Sequence, residues 1–165
     1  AFVLACVARA VHGVLVARGE GRKGLLVPVP QDQRQRGRLG PILSNQLGVL
    51  FYRITPADLR DVPTAVRSLA EQLRAMLRAD LPSAFALLLA MCRRLPLGLY
   101  LRLVQLPTWG RIASFGFSDA GDGLSRIPAV LGVPVARALH FPANVYPPGF
   151  TVVVSRTPKA CTVMR

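Results

Sequence analysis

The apolar positions of this chain change their period along its length, and that change orders the elements. Phe2, Leu4, Val7, Val11, Val14 and Leu15 recur at helical spacing and cover more than one face, so residues 1–18 read as a buried helix, with Gly19 as its stop. Residues 25–30 read as a short strand. Pro28 and Pro30 push that strand to an edge, because proline has no N–H for a ladder. After a polar loop over 31–38, residues 45–54 form a second strand. Leu47, Val49 and Phe51 alternate there with Leu50 and Tyr52, which predicts cover on both faces. Asp61 is placed to cap a helix with Pro63 in its first turn. Val66, Leu69, Leu73, Met76 and Leu77 carry the helix to about Ala79 as one stripe, with Arg67, Glu71, Arg74 and Arg78 on the wet side. Glu71 is spaced to pair with Arg67 or Arg74.

Two very apolar helices follow, over 82–93 and 97–106, punctuated by Pro82, Pro96 and Pro107. Beyond Trp109 the period falls to two. Strands are expected at 111–118, 133–140, 149–156 and 159–164, the last two joined by a tight hairpin at Thr157-Pro158. In the first of these, Ile112, Ser114, Gly116 and Ser118 alternate with Ala113, Phe115 and Phe117. Small residues therefore share one face, with room for a substrate or a close backbone, and bulky ones meet the helices. The sum is a mixed α/β (α+β) layer, helices on a mainly mixed sheet, in one domain. Apolar helices 82–106 admit two readings, as core or as a greasy rim that touches lipid with Arg93, Arg94 and Arg102.

Composition narrows the function classes. The chain has 165 residues and is 52% hydrophobic, enough to build a core. Its net charge of +13 is spread from Arg9 to Arg165 without a basic run. Only Lys23 and Lys159 are lysines, a skew that high-GC coding produces. The one dense cluster, Arg34, Arg36 and Arg38, has no interleaved aromatics, so nucleic-acid binding is not expected. Cys6, Cys92 and Cys161 are far apart and form no C-x-x-C; metal and redox sites are not signalled. Cys6 and Cys161 read as small core residues, and a reducing cytoplasm suits them. No apolar run reaches the roughly 18 residues of a membrane span. The chain opens in mid-helix, as a fragment of a longer protein would. His12 and His140 are the only histidines, and neither has a nucleophile or ligand partner at a useful spacing.

Three elements in order carry a resemblance. Val27-Pro28-Val29-Pro30-Gln31-Asp32-Gln33-Arg34 is similar to a Pro/Val strand closed by arginine. Leu39-Gly40-Pro41 through Ser44-Asn45 is similar to a Gly-Asn turn that opens the strand ending at Arg53. Phe115-Gly116-Phe117-Ser118-Asp119-Ala120-Gly121-Asp122 is similar to a Ser-Asn-x-Gly strand end. Together they resemble the second half of chloramphenicol acetyltransferase-like acyltransferases, and most of all the C-terminal region of wax ester synthase/diacylglycerol acyltransferases. The resemblance spans nearly the whole chain. It implies half of a chloramphenicol acetyltransferase-like fold. The catalytic HHxxxDG motif belongs to the other half and is absent from this sequence, so no catalytic residue is expected here.

The parent reaction so implied moves a fatty acyl group from acyl-CoA, a donor substrate and not a cofactor, to an alcohol. Gly116, Ser118, Asp119 and Gly121 would line the substrate channel, and Asn45 and Arg53 would shape the interface with the other half. Asp119 stands where asparagine is usual. A carboxylate repels a developing oxyanion, so Asp119 should point away or pair with an arginine such as Arg111 or Arg126. Two other readings stay open. One is a condensation or alcohol-acetyltransferase half that takes carrier-bound thioesters. The other is a non-catalytic half-domain that binds lipid or a partner. The implied location is cytoplasmic, with peripheral contact to a membrane or lipid droplet as an alternative.

Overall fold

The computed structural model of the protein describes residues 1–20, 24–34, 47–92, 94–105, 113–121, 129–135, 150–157 and 160–164. It is an α/β (α+β) arrangement of four helices and seven strands among those residues: α1 (Phe2–Ala17), β1 (Leu25–Asp32), β2 (Leu47–Ile54), α2 (Val62–Arg78), α3 (Leu81–Cys92), α4 (Leu97–Gln105), β3 (Gly116–Gly121), β4 (Ala129–Val130), β5 (Val133–Pro134), β6 (Thr151–Thr157) and β7 (Ala160–Met164).

Local chemistry sets the helix ends. Gly19 adopts φ +78°, and the N–H groups of Gly19 and Glu20 donate to the carbonyls of Val16 and Leu15, closing α1 in a Schellman motif. Asp61 caps α2: its carboxylate accepts from the Thr64 N–H at 2.7 Å and from the Thr64 hydroxyl at 3.0 Å. Those bonds hold the Asp61 carboxyl below the usual carboxylate range. Just upstream, Asp58 accepts from the Thr55 N–H and hydroxyl, at 2.8 and 2.6 Å, fixing the corner that buries Leu59. Asp80, at φ +49°, ends α2 and turns the chain by 63° into α3.

β1 and β2 pair antiparallel from Leu25↔Ile54 to Asp32↔Leu47. Position 26 of β1 faces away from β2, since the Leu26 N–H donates to Ser114 Oγ at 3.0 Å and its carbonyl accepts from the Ser114 N–H at 2.7 Å. Pro28 and Pro30 share that outward parity, so their missing N–H groups cost the β1–β2 ladder nothing. The facing residue, Arg53, is equally outward on β2. Gln72 of α2 answers both of its backbone groups, accepting from the Arg53 N–H at 3.0 Å and donating to its carbonyl at 2.9 Å. β3 runs parallel to β6, and β6 pairs antiparallel with β7 down to Thr157↔Ala160, the expected hairpin. The Ser114 bonds, made just before β3, thus tie the β1–β2 sheet to the β3-β6-β7 sheet and set the two side by side as one layer. β4 and β5 form a separate hairpin around Leu131 and Gly132, both at positive φ.

α1 and α2 pack on one face of this layer. The core there joins Leu4, Ala5 and Ala8 of α1 to Leu69 and Met76 of α2 and to alternate sheet residues Leu25, Val27, Leu50, Tyr52, Ile54, Phe115, Phe117, Val152 and Val154.

Several expectations need correction. α1 is buried along one face alone; Phe2, Val14 and Val16 are exposed, as is Cys6, which is not a core residue. β2 alternates, with Gly48, Leu50, Tyr52 and Ile54 buried and Leu47, Phe51 and Arg53 exposed, because its second face meets only α3, where Phe51 and Phe85 contact edge to face at 6.2 Å. Of the strand expected at 111–118, residues 111–112 lie outside the described residues and 113–115 are not strand; β3 begins at Gly116 and runs on to Gly121. Glu71 forms no ion pair with Arg67 or Arg74 among the described residues. Of strand 133–140 only Val133–Pro134 is a described strand; residues 136–140 lie outside the described residues.

Phe115, with no exposed surface, is the centre of this core. Replacing it by alanine is expected to cost about 3–5 kcal/mol in chemical denaturation, through the cavity left behind. Gln72→Ala, which frees two exposed backbone groups that water can reach, is expected to cost only about 1 kcal/mol.

Candidate functional site

β3 divides two environments. Phe117 and Asp119 project toward the helices, and Gly116 and Ser118 project the other way. The parallel register sets Ser118 beside Val153 and Asp119 beside Val154. At the end of the strand the register shifts between Asp119 and Gly121. The Asp119 carboxylate accepts from the Gly121 N–H at 3.0 Å, and Gly121 sits at φ +63°. An aspartate that holds its own backbone and a glycine in the left-handed region are what such a bulge requires.

A cavity of about 460 Å³ lies on the helix side of the layer. That is within the roughly 300–1,000 Å³ of small-molecule sites. Phe2, Val3 and Leu4 of α1 form one wall, Leu69 and Leu73 of α2 another, and Val29, Tyr52 and Phe117 the sheet floor, with Asp119 exposed at the rim. Among the described residues of this lining, Tyr52 and Asp119 carry the polar side chains, and Ala1 lies there with its main-chain amine. Burial pushes the Tyr52 phenol above its usual range, so it stays a neutral donor. The arrangement suits an apolar chain with a hydrogen-bonding head. The phenol can donate and the carboxylate can accept.

The residues singled out from the sequence are dispersed around this cavity. Asp119 lines it. Ser118 is half-buried on the opposite face, and Gly121 lies in the bulge. The space beside Gly116 is occupied: a Cβ there would stand 2.7 Å from Thr151 Oγ1 and 3.1 Å from Thr151 Cγ2. Arg53 is exposed on the outer face of β2 with its backbone held by Gln72. Asn45, Arg111, Arg126 and His140 lie outside the described residues. His12 is half-buried on α1.

Sequence reasoning missed Tyr52, Leu69 and Leu73 as site residues. Their signal was present as the Leu50-Tyr52-Ile54 alternation and the α2 stripe, but both patterns also describe plain core. Among the described residues no three His, Cys, Asp or Glu side chains gather as metal ligands. Among them, too, no single helix is long and apolar enough to cross a membrane. No family model, curated protein or solved structure matches this chain.

Gly116→Val should therefore act on folding. We expect a loss of about 1–3 kcal/mol from overpacking between β3 and β6. Thr151→Ala in the same chain should restore most of it, as read by thermal or denaturant melts of the two variants.

Proposed function

We propose that this chain is the acyl-chain-binding half of an O-acyltransferase of the wax ester synthase/diacylglycerol acyltransferase kind. In this reading the general base comes from a second half, and the reaction moves a fatty acyl group from acyl-CoA to an alcohol. The single observation that carries it is the apolar cavity with a neutral phenol in its lining and a carboxylate at its rim. A long alkyl chain fits walls of Phe2, Leu4, Leu69, Leu73 and Phe117. An alcohol head meets an acceptor in Asp119 and a donor in Tyr52. The order of sequence elements from Val27 to Gly121 supports the same family. Free Cys6 and Cys92 fit a reducing compartment, and we assign the protein to the cytoplasm on that ground.

The test is displacement of a fluorescent long-chain probe from the full chain. Hexadecanol should displace it. Leu73→Trp, which fills the cavity from α2, should weaken probe binding by about tenfold or more while the melt stays cooperative. Equal binding by Leu73→Trp, or no displacement by hexadecanol, would refute the site. In the same preparation, acyl-CoA with a fatty alcohol should release no thiol. Turnover that vanishes in His12→Ala or His140→Ala would show instead that the chain carries its own base.

A further inference from the structure

α3 and α4 face the solvent with the wrong chemistry for a soluble surface. Leu81, Ala84, Leu87, Leu88 and Met91 fall within one 120° sector of α3, and all five are exposed, Leu87 and Met91 by 65% and 63%. α4 exposes Leu97, Leu99 and Leu101, with Leu97 at 71%. Apolar side chains in such number on consecutive helices mark an interaction surface. Within α3 and α4 the charge has one sign, and the Asp80 carboxylate just before α3 accepts from the Ser83 hydroxyl at 2.7 Å. From Leu81 to Ser118 the sequence contains no aspartate or glutamate and four arginines, and Arg94 and Arg102 are exposed beside the leucines.

We propose that α3 and α4 dock the protein on an anionic phospholipid bilayer, lying in the interface with their leucines in the acyl region and Arg94 and Arg102 among the phosphates. Twelve residues of α3 extend only about 18 Å, short of the roughly 30 Å hydrocarbon core, so the helix lies along the surface and does not span it. Amphipathic interfacial helices combine these two features, an apolar face and flanking cations. A second copy of the chain is the poorer occupant. Two-fold pairing would set the same patch against itself and bring its arginines together, with no carboxylate from Leu81 to Ser118 on either copy to meet them. The anionic bilayer supplies the missing charge at the depth where the arginines end. This surface is separate from the cavity, whose walls come from α1, α2 and the sheet.

The experiment is flotation of the full chain with vesicles of phosphatidylcholine alone and with about 30 mol% phosphatidylserine. We expect flotation with the anionic vesicles, weakened by salt. Arg94→Gln and Arg102→Gln should each lower the partition coefficient about fivefold. Leu87→Ser with Met91→Ser should abolish flotation while circular dichroism and the melt hold, since both side chains are solvent-exposed. Leu73→Trp should float as the parent does, which separates this surface from the alkyl-chain site. The proposal is overturned if the chain stays in the soluble fraction with anionic vesicles. It is also overturned if flotation is indifferent to the arginine and leucine variants, or if the leucine variant only dissolves a self-associated form that never floated.

Discussion

The residue pair Leu26 and Arg53 holds the layers together, through backbone groups that face outward from the β1–β2 ladder. Each strand leaves an N–H and a carbonyl pointing away at this register. Ser114 takes up the pair on the β1 side, and Gln72 takes up the pair on the β2 side. The first contact brings β3, and through it β6 and β7, alongside β1. The second fixes the height of α2 over β2. Sheet edges left open would pair with other chains or with water. Here they are used to set where one helix and three further strands stand.

The cavity follows from that placement. α2 is held at the β2 edge, and α1 packs beside it through Leu4, Ala5 and Ala8, so the sheet between them is covered only partly. Tyr52 and Phe117 form the floor because both lie on the buried parity of their strands. The rim is polar because β3 ends there in a bulge that needs Asp119 and Gly121 for its own geometry. A carboxylate with a structural task thus also supplies a hydrogen-bond acceptor at the opening.

Local signals were readable from the sequence where the chemistry is local. Asp61 with Pro63 located the start of α2, Gly19 located the end of α1, and Thr157-Pro158 marked the β6–β7 hairpin. The alternation of Phe115 and Phe117 with Ser114 and Gly116, leading into β3, also followed from period two, and the phenylalanines are the buried ones. What failed depends on distant parts of the chain. Helix α1 is apolar nearly all round, so its pattern could not say that Cys6 and Val14 would lie outside. The leucines of α3 look the same in sequence whether core or rim, and only the cover over them decides. Gln72 and Arg53, nineteen residues apart, meet through backbone groups that no side-chain pattern encodes. Gly116 suggested open space, yet the Thr151 side chain on β6 fills it.

The central claim is that a long alkyl chain sits between α1, α2 and the sheet, and photo-crosslinking tests it most directly. A hexadecanol analogue with a diazirine near its tail would be bound to the full chain, irradiated, and the adducts mapped by peptide mass spectrometry. The account predicts labels at Phe2–Leu4, at Leu69 or Leu73, and at Phe117, all lost with excess hexadecanol. Labels confined to α3 and α4, with none on those walls, would contradict it.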